Sequence, residues 1–241
     1  MKLLYAAPTY GPTDPMFEQN HRTAIMCAAN RGVTWVGDVS PDRMGWAAAR
    51  NRVVESSLEA AGETEVDGVF WVDSDIMVPA DTIHRLCSYG KDFVSGLYFQ
   101  RSAPYWPLFA KLNKKQSFEW PSAYPENVLA PCDGVGFGCV YTSINLLRLV
   151  SDLPECKDSG PFGGDFGKRS YGEDFTFCLR ARKVGIHPYV DTAVKCEHCS
   201  GFEFADETLF KRLGGLTGGQ LDAKTERPNP QDGSDLHQVC I

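Results

Sequence analysis

Short apolar runs alternate with amphipathic stretches through the first hundred residues. Residues 2–7 form an apolar run cut off by Pro8 and the turn-forming Tyr10-Gly11-Pro12, which reads as a strand. Residues 17–30 carry apolar positions at helical spacing and stop near Gly32. Residues 33–39 predict a second strand, and 45–61 a second helix closed by Gly62. A third strand covers 66–72 and is apolar throughout after Asp67-Gly68. Residues 82–88 then read as helix and 93–99 as strand. Strands alternating with helices at this rhythm predict an α/β fold, a mostly parallel sheet with helices on both faces. The unbroken run 69–72 suits the middle of that sheet.

The second half changes texture. Residues 98–139 are rich in aromatics, Pro and polar turns, predicting short strands and loops, and a helix follows at 143–150. The Gly-rich stretch 159–164 precedes a helix at 173–183 that Gly185 ends, and 189–196 gives a last strand. After Gly214 no apolar period survives. The expected organisation is one domain over 1–213, with halves 1–100 and 101–213, and a polar surface tail over 214–241.

Composition narrows the class. The chain has 241 residues, of which 43% are apolar, and a formal charge of −7. A core of useful size can form without disulfides, and the acidic balance argues against a general nucleic-acid coat. No run approaches the roughly 20 apolar residues of a membrane span, and the N-terminal apolar run is too brief for a signal peptide. The expected setting is cytoplasmic, or the host cytoplasm if the chain is phage-encoded. Nine cysteines without an export signal read as free thiols in a reducing compartment. The Cys196-x-x-Cys199 spacing lacks the second pair a structural zinc site would need.

Candidate chemistry begins at Asp73-Ser74-Asp75, directly after the apolar strand. In extended geometry residues two apart point the same way, and ligands of open α/β sheets bind beyond the strands' carboxyl ends. Two hard oxygen donors there suit Mg²⁺ or Mn²⁺ bridging to a diphosphate. The same short pattern arises by chance about once in a chain of this length, and Asp at a strand end also serves turns and caps. Glu173 and Asp174 open a helix, where acids complement the dipole, but either could be a general base. His198 follows the last strand and could complete a metal's ligands, although a lone His is more often a satisfied structural residue.

In order, Asp73-Ser74-Asp75, the Gly-rich 133–138, Glu173-Asp174 and His198, with Ala49-Arg50-Asn51 and Gly96-Leu97-Tyr98, make the chain resemble GT-A-fold glycosyltransferases. The likeness is to the inverting family 2 type and its small phage-encoded members, and it runs from about residue 1 to 210. It implies a Rossmann-like mostly parallel sheet with a smaller mixed sheet on the acceptor side. It implies transfer of a sugar from a nucleotide-diphosphate sugar, a UDP-sugar by preference, to an acceptor hydroxyl. Pro8, Thr9, Tyr10 and Asp38 would contact the nucleotide, Arg50 would lie near it, and Asp73 near the ribose or metal. Asp73, Asp75 and His198 would supply metal ligands for Mn²⁺ or Mg²⁺. Gly136 and Gly138 would let the donor sugar or acceptor approach the backbone. Asp174 would be the base and Glu173 its orienting partner.

For the acceptor, a hydroxymethylated pyrimidine in phage DNA and a glycan both stay open. Tyr105, Trp106 and Lys111, with Phe109 and Phe118, could form a stacking surface. Lys114-Lys115, Lys168-Arg169, Arg180, Arg182-Lys183 and Lys211-Arg212 could add positive charge beside it. Two rival classes share the architecture. A nucleotidyltransferase would carry a basic Gly-rich loop after the first strand, for which Pro8-Thr9-Tyr10-Gly11 is a poor substitute. A non-catalytic sugar-binding module would be expected to lack Asp75, Asp174 or His198.

Overall fold

The computed structural model describes residues 1–164, 171–200 and 203–212. The tail expected over 214–241 and the basic pair Lys168-Arg169 lie outside the described residues.

The chain runs β1 (Lys2–Ala6), α1 (Pro15–Ala29), β2 (Thr34–Asp38), α2 (Trp46–Glu63), β3 (Gly68–Val72), β4 (Ile76–Met77), α3 (Thr82–Ser88) and β5 (Phe93–Leu97). It continues through β6 (Phe109–Leu112), β7 (Phe118–Glu119), β8 (Leu129–Pro131), β9 (Gly134–Val135), β10 (Cys139–Ser143) and α4 (Ile144–Ser151). Then come α5 (Glu173–Lys183), β11 (Tyr189–Lys195), β12 (Glu197–Ser200), β13 (Glu203–Ala205) and α6 (Glu207–Arg212).

Seven strands form the main sheet in the order β2-β1-β3-β10-β5-β11-β8. Alternation along its strands sorts side chains to two faces. Leu4, Ala6, Val69 and Trp71 pack with Val53 and Val54 of α2, Leu147 and Val150 of α4 and Phe177 of α5. Leu3, Tyr5, Phe70 and Val72 pack with Ala24 and Ala28 of α1 and Ile83 and Leu86 of α3. Helices thus cover both faces, as the apolar pattern predicts.

The strand directions are not uniform. β1 pairs in parallel with β2 and β3, and β5 with β11, but β10 lies antiparallel between β3 and β5, and β8 antiparallel on β11. The sheet is mixed: β2, β1, β3, β5 and β11 share one direction, and β10 and β8 are reversed. The inserted strand β10 is held by burial of all five of its residues and by Trp71 Nε1 donating to Thr142 Oγ1 at 2.8 Å. Ser143 ends it and caps α4 through Leu146 N, so strand and helix join without a loop.

Among the described residues two three-stranded sheets stand apart, β13-β12-β4 and β7-β6-β9. The first brings β12 beside β4, just past the end of β3. The second holds β6 between β7 and β9, and β9 packs on α5. Among the described residues no helix is long and apolar enough to cross a membrane.

Candidate active site

The centre of the site is one buried guanidinium. Arg50, 3% exposed, projects from α2 toward the carboxyl end of β3. Its Nη1 donates to Asp73 Oδ1 at 3.2 Å, and its Nε lies 2.8 Å from Asp174 Oδ1 and 3.8 Å from Glu173 Oε1. The Nε–Oδ1 contact is an ion pair without the alignment of a hydrogen bond, so both atoms lack a proper partner. The Phe137 ring sits under the guanidinium at 5.5 Å. Burial opposes the charge on Arg50, yet Asp174, Asp73 and Glu173 together raise its pKa.

Three carboxylates round one cation leave an excess of negative charge. Asp174 carries the consequence: burial, then the neighbouring Glu173 and Asp73, push its pKa up to about 7 against the pull of Arg50. Its Oδ2 accepts from Phe137 N at 3.0 Å, which fixes the carboxylate at the start of α5. A carboxylate poised near neutrality is suited to proton transfer.

Asp73 and Asp75 part company. The backbone turns after β3, with Ile76 N bonding Asp73 O at 3.1 Å, so extended geometry ends and the two side chains face different partners. Asp75 Oδ2 meets His198 Nε2 at 3.5 Å and Arg101 Nη1 at 3.0 Å. Pairing of β12 with β4 delivers this contact across 123 residues of sequence, through the register His198 to Ile76. His198 Nδ1 donates to the Phe99 carbonyl at 2.7 Å, which leaves Nε2 presented to Asp75. Among the described residues no group of three His, Cys, Asp or Glu side chains converges as a metal cage. The fit to a divalent cation is therefore Asp75 and His198, one oxygen and one nitrogen donor, with Asp73 committed to Arg50.

Gly136 and Gly138 make room for Tyr98, not for an open approach by a sugar. A Cβ at Gly136 would overlap Tyr98 Oη, and one at Gly138 would lie 2.9 Å from the ring. Tyr98 is buried, accepts from Gly138 N at 2.8 Å and stacks edge-on against His198. It ties the Gly-rich turn to the candidate metal ligand, a role that the glycines' spacing alone could not show.

Two cavities flank this centre. One of about 300 Å³ opens at the carboxyl ends of β1 and β2 and is lined by Tyr5, Thr9, His21, Asp38, Ser40 and Ser74, among others. Of the residues expected to contact the nucleotide, Thr9 and Asp38 line this cavity, whereas Pro8 and Tyr10 do not and Tyr10 is 77% exposed. His21 is a lining residue that the sequence did not single out. Its Nε2 donates to Ile76 O and its Nδ1 accepts from Tyr5, both at 2.8 Å. Burial lowers its pKa, so the ring is held neutral. Helical spacing from the Asp14-Pro15 start of α1 was the available signal.

The second cavity, about 360 Å³, is lined by Ala47, Phe162, Gly163, Gly164, Tyr171, Gly172 and Glu173. Glu173 reaches it and Asp174 does not line it. Its wall is pinned from below: Asn51 donates to Ser159 O at 2.8 Å and accepts from Phe162 N at 2.9 Å. Arg180 Nη1 donates to the carbonyls of Gly160 and Pro161.

The proposed acceptor surface does not assemble as expected. Phe109 and Phe118 are core residues, packed on Tyr124 and on Tyr171 and Phe175. Tyr105 and Trp106 are half-buried on the loop after β5, and Lys111 is exposed on β6 opposite Glu119. Arg180, read as a surface charge, is 1% exposed. Arg182 pairs with Asp133, Lys183 with Glu155, and Lys211 with Glu126 and Glu207.

A197 from STIV shares the fold, with a TM-score of 0.51 and 16% identity over 83% of this chain and 86% of that one. GalNAc-T7, solved with UDP, GalNAc and Mn²⁺, aligns with a TM-score of 0.45 and 9% identity over 88% of this chain and 47% of that one. The inositol-1-phosphate CTP transferase from T. maritima gives 0.46 and 9% over 90% and 96%. No protein-family model and no curated protein sequence matches the chain. The likeness to A197 establishes the fold: a central mixed sheet flanked by helices with smaller separate sheets, the general GT-A-type architecture.

Proposed function

We propose that the chain is a metal-dependent inverting glycosyltransferase, moving a sugar from a nucleotide-diphosphate sugar to an acceptor hydroxyl. The observation that carries this reading is the meeting of Asp75 and His198 at 3.5 Å just beyond β3, beside a cavity at the ends of β1 and β2. Asp75 Oδ2 and His198 Nε2 would hold Mn²⁺ or Mg²⁺. A divalent cation there offsets the negative charge that develops on a departing diphosphate.

The chain's own groups do the rest. Thr9, Asp38 and Ser40 line the pocket for the base and ribose, and His21, held neutral, offers that pocket no charge. Arg50 keeps Asp73 and Asp174 in place and screens their mutual repulsion. The bond from the anomeric carbon to the diphosphate oxygen breaks, and its electron pair leaves with the diphosphate. The acceptor oxygen bonds the opposite face of that carbon, and its proton passes to Asp174, with Glu173 at the cavity wall orienting the hydroxyl. A single displacement of this kind inverts the anomeric centre.

A glycan acceptor fits better than a hydroxymethylated pyrimidine in DNA. A base-flipping surface needs converging free cations and exposed rings, whereas here Arg182, Lys183 and Lys211 face carboxylates and Phe109 and Phe118 are buried. The decisive experiment is donor hydrolysis with a panel of nucleotide sugars, with Mn²⁺ and with chelator. Mn²⁺-dependent release of a nucleoside diphosphate supports the reading, and nucleotidyl release without sugar transfer refutes it. A mass shift on glycans, set against hydroxymethylated DNA, then assigns the acceptor.

A further inference from the structure

Among the described residues Arg101 is the one Lys or Arg seated on the proposed metal ligand, and nothing in the function above uses it. Its Nη1 contacts Asp75 Oδ2 at 3.0 Å, the same oxygen that His198 Nε2 faces at 3.5 Å. The carboxylate oxygen that would face a metal thus already has a positive charge at hydrogen-bond distance.

The segment that carries Arg101 is a short loop with an anchored base and an exposed tip. Gln100 N bonds Trp106 O at 2.9 Å and Tyr105 N bonds Ser102 O at 2.9 Å, which closes the base of a short loop. Residues 101–104 at its tip are exposed, and the Arg101 side chain is 55% exposed. The loop's base is fixed just past the end of β5, an interior strand of the main sheet, by Leu108 N to Tyr98 O at 2.8 Å. A long side chain on such a tip can change partner without moving the scaffold.

We propose that Arg101 is the resident cation of the Asp75–His198 pair. A divalent metal binds by displacing it, and the freed guanidinium then pairs with the diphosphate of the metal-bound nucleotide. The two roles have opposite signs. Against the metal alone Arg101 competes, because a cation cannot share Asp75 Oδ2 with a guanidinium without repulsion. Toward the metal with a nucleoside diphosphate it contributes, because guanidinium groups match phosphate oxygens in forked pairs. The site thereby stays charge-balanced when empty and favours a metal that arrives with its diphosphate.

This inference rests on the metal reading above, and one set of titrations separates the two. Mn²⁺ binding to the full chain is followed by loss of the free-ion EPR signal, first alone and then with UDP, GDP or ADP. Wild type is compared with Arg101→Gln and Asp75→Asn. Arg101→Gln alters an exposed side chain, and circular dichroism confirms its fold. The expected result is a Kd for Mn²⁺ alone that falls roughly two- to fivefold in Arg101→Gln, the scale of an exposed ion pair. The bound nucleoside diphosphate should instead be held on the order of tenfold less tightly. Unchanged or weaker Mn²⁺ binding by Arg101→Gln, with Asp75→Asn still abolishing it, overturns the role of Arg101 and leaves the metal site standing. A change of the same sign in both titrations also overturns it. Mn²⁺ bound by neither wild type nor Arg101→Gln overturns the metal reading and this inference together.

Discussion

Arg50 Nε and Asp174 Oδ1 lie 2.8 Å apart, and neither atom has a well-aligned hydrogen bond. The guanidinium is the counter-charge for three acids drawn from different elements, Asp73 after β3 and Glu173 and Asp174 at the start of α5. One cation cannot neutralise all three, so proton affinity concentrates on Asp174, which burial and the charges of Glu173 and Asp73 push the same way. Structure and chemistry meet in this imbalance.

Asp174→Asn should keep its fold and bind donor but lose turnover by about 10²–10⁴-fold, the usual contribution of a general base. With wild type, kcat/KM should rise with pH through about 7, because the base must shed its proton. Glu173→Gln should move that limb to lower pH, since the Glu173 charge is one of the causes that raise Asp174. A pH–rate profile of the three proteins checks this, and an active Asp174→Asn enzyme would refute the assignment.

The same group shapes stability. Asp174 holds its proton more tightly in the folded chain, at about 7, than at its unfolded value of 3.8. Its contribution is fully present below about pH 4 and is lost as pH rises through 7. Asp174→Asn should therefore flatten the fall in Tm between those pH values. Arg50→Gln should do the reverse at neutral pH, leaving three acids without their cation and costing about 3–5 kcal/mol in urea unfolding.

Much of this framework was legible in the sequence. Apolar strands between amphipathic helices placed β1, β3 and the helices α1 to α3, because burial on two faces demands that pattern, while the half-exposed edge strand β2 followed from the alternation of elements. The direction of β10 was not legible. Its five residues lie between a glycine turn and a helix cap, and pairing direction leaves no periodic trace in so short a run. The acids, Arg50 and His198 came from ordered motifs, and the structure brings Asp75 to His198 and Arg50 to Asp174. The purpose of Gly136 and Gly138 was hidden, since no sequence pattern tells that the ring filling their space is Tyr98. Arg180 was misread as a surface charge. Its position on the face shared by Phe177 was the overlooked signal.

Gly136 and Tyr98 offer a test of that fit. Gly136→Ala should cost about 1–3 kcal/mol through overpacking against Tyr98 Oη. Tyr98→Phe should cost about 1–3 kcal/mol by leaving the buried Gly138 N without its acceptor. In the double variant the overlap with Oη is gone, so the two losses should sum to less than the single values imply. Additive urea midpoints would show that the glycine does not serve this ring.

Asn51 and Gly160 make the last case, at the wall of the larger cavity. Gly160 has φ +71°, and a Cβ there would lie 2.5 Å from the Asn51 amide. Gly160→Ala should therefore be destabilising for two reasons, a left-handed backbone costing about 1–2 kcal/mol and the overlap with Asn51. In an Asn51→Ala background only the first remains, so the further cost of Gly160→Ala should shrink. Asn51→Ala itself removes two bonds to the loop backbone, at Ser159 O and Phe162 N, and should loosen residues 159–164. Because that loop walls the cavity beside Glu173 and not the pocket at β1 and β2, acceptor KM should rise severalfold while donor hydrolysis stays near wild type. Equal loss in both assays would place the loop's effect on the donor instead.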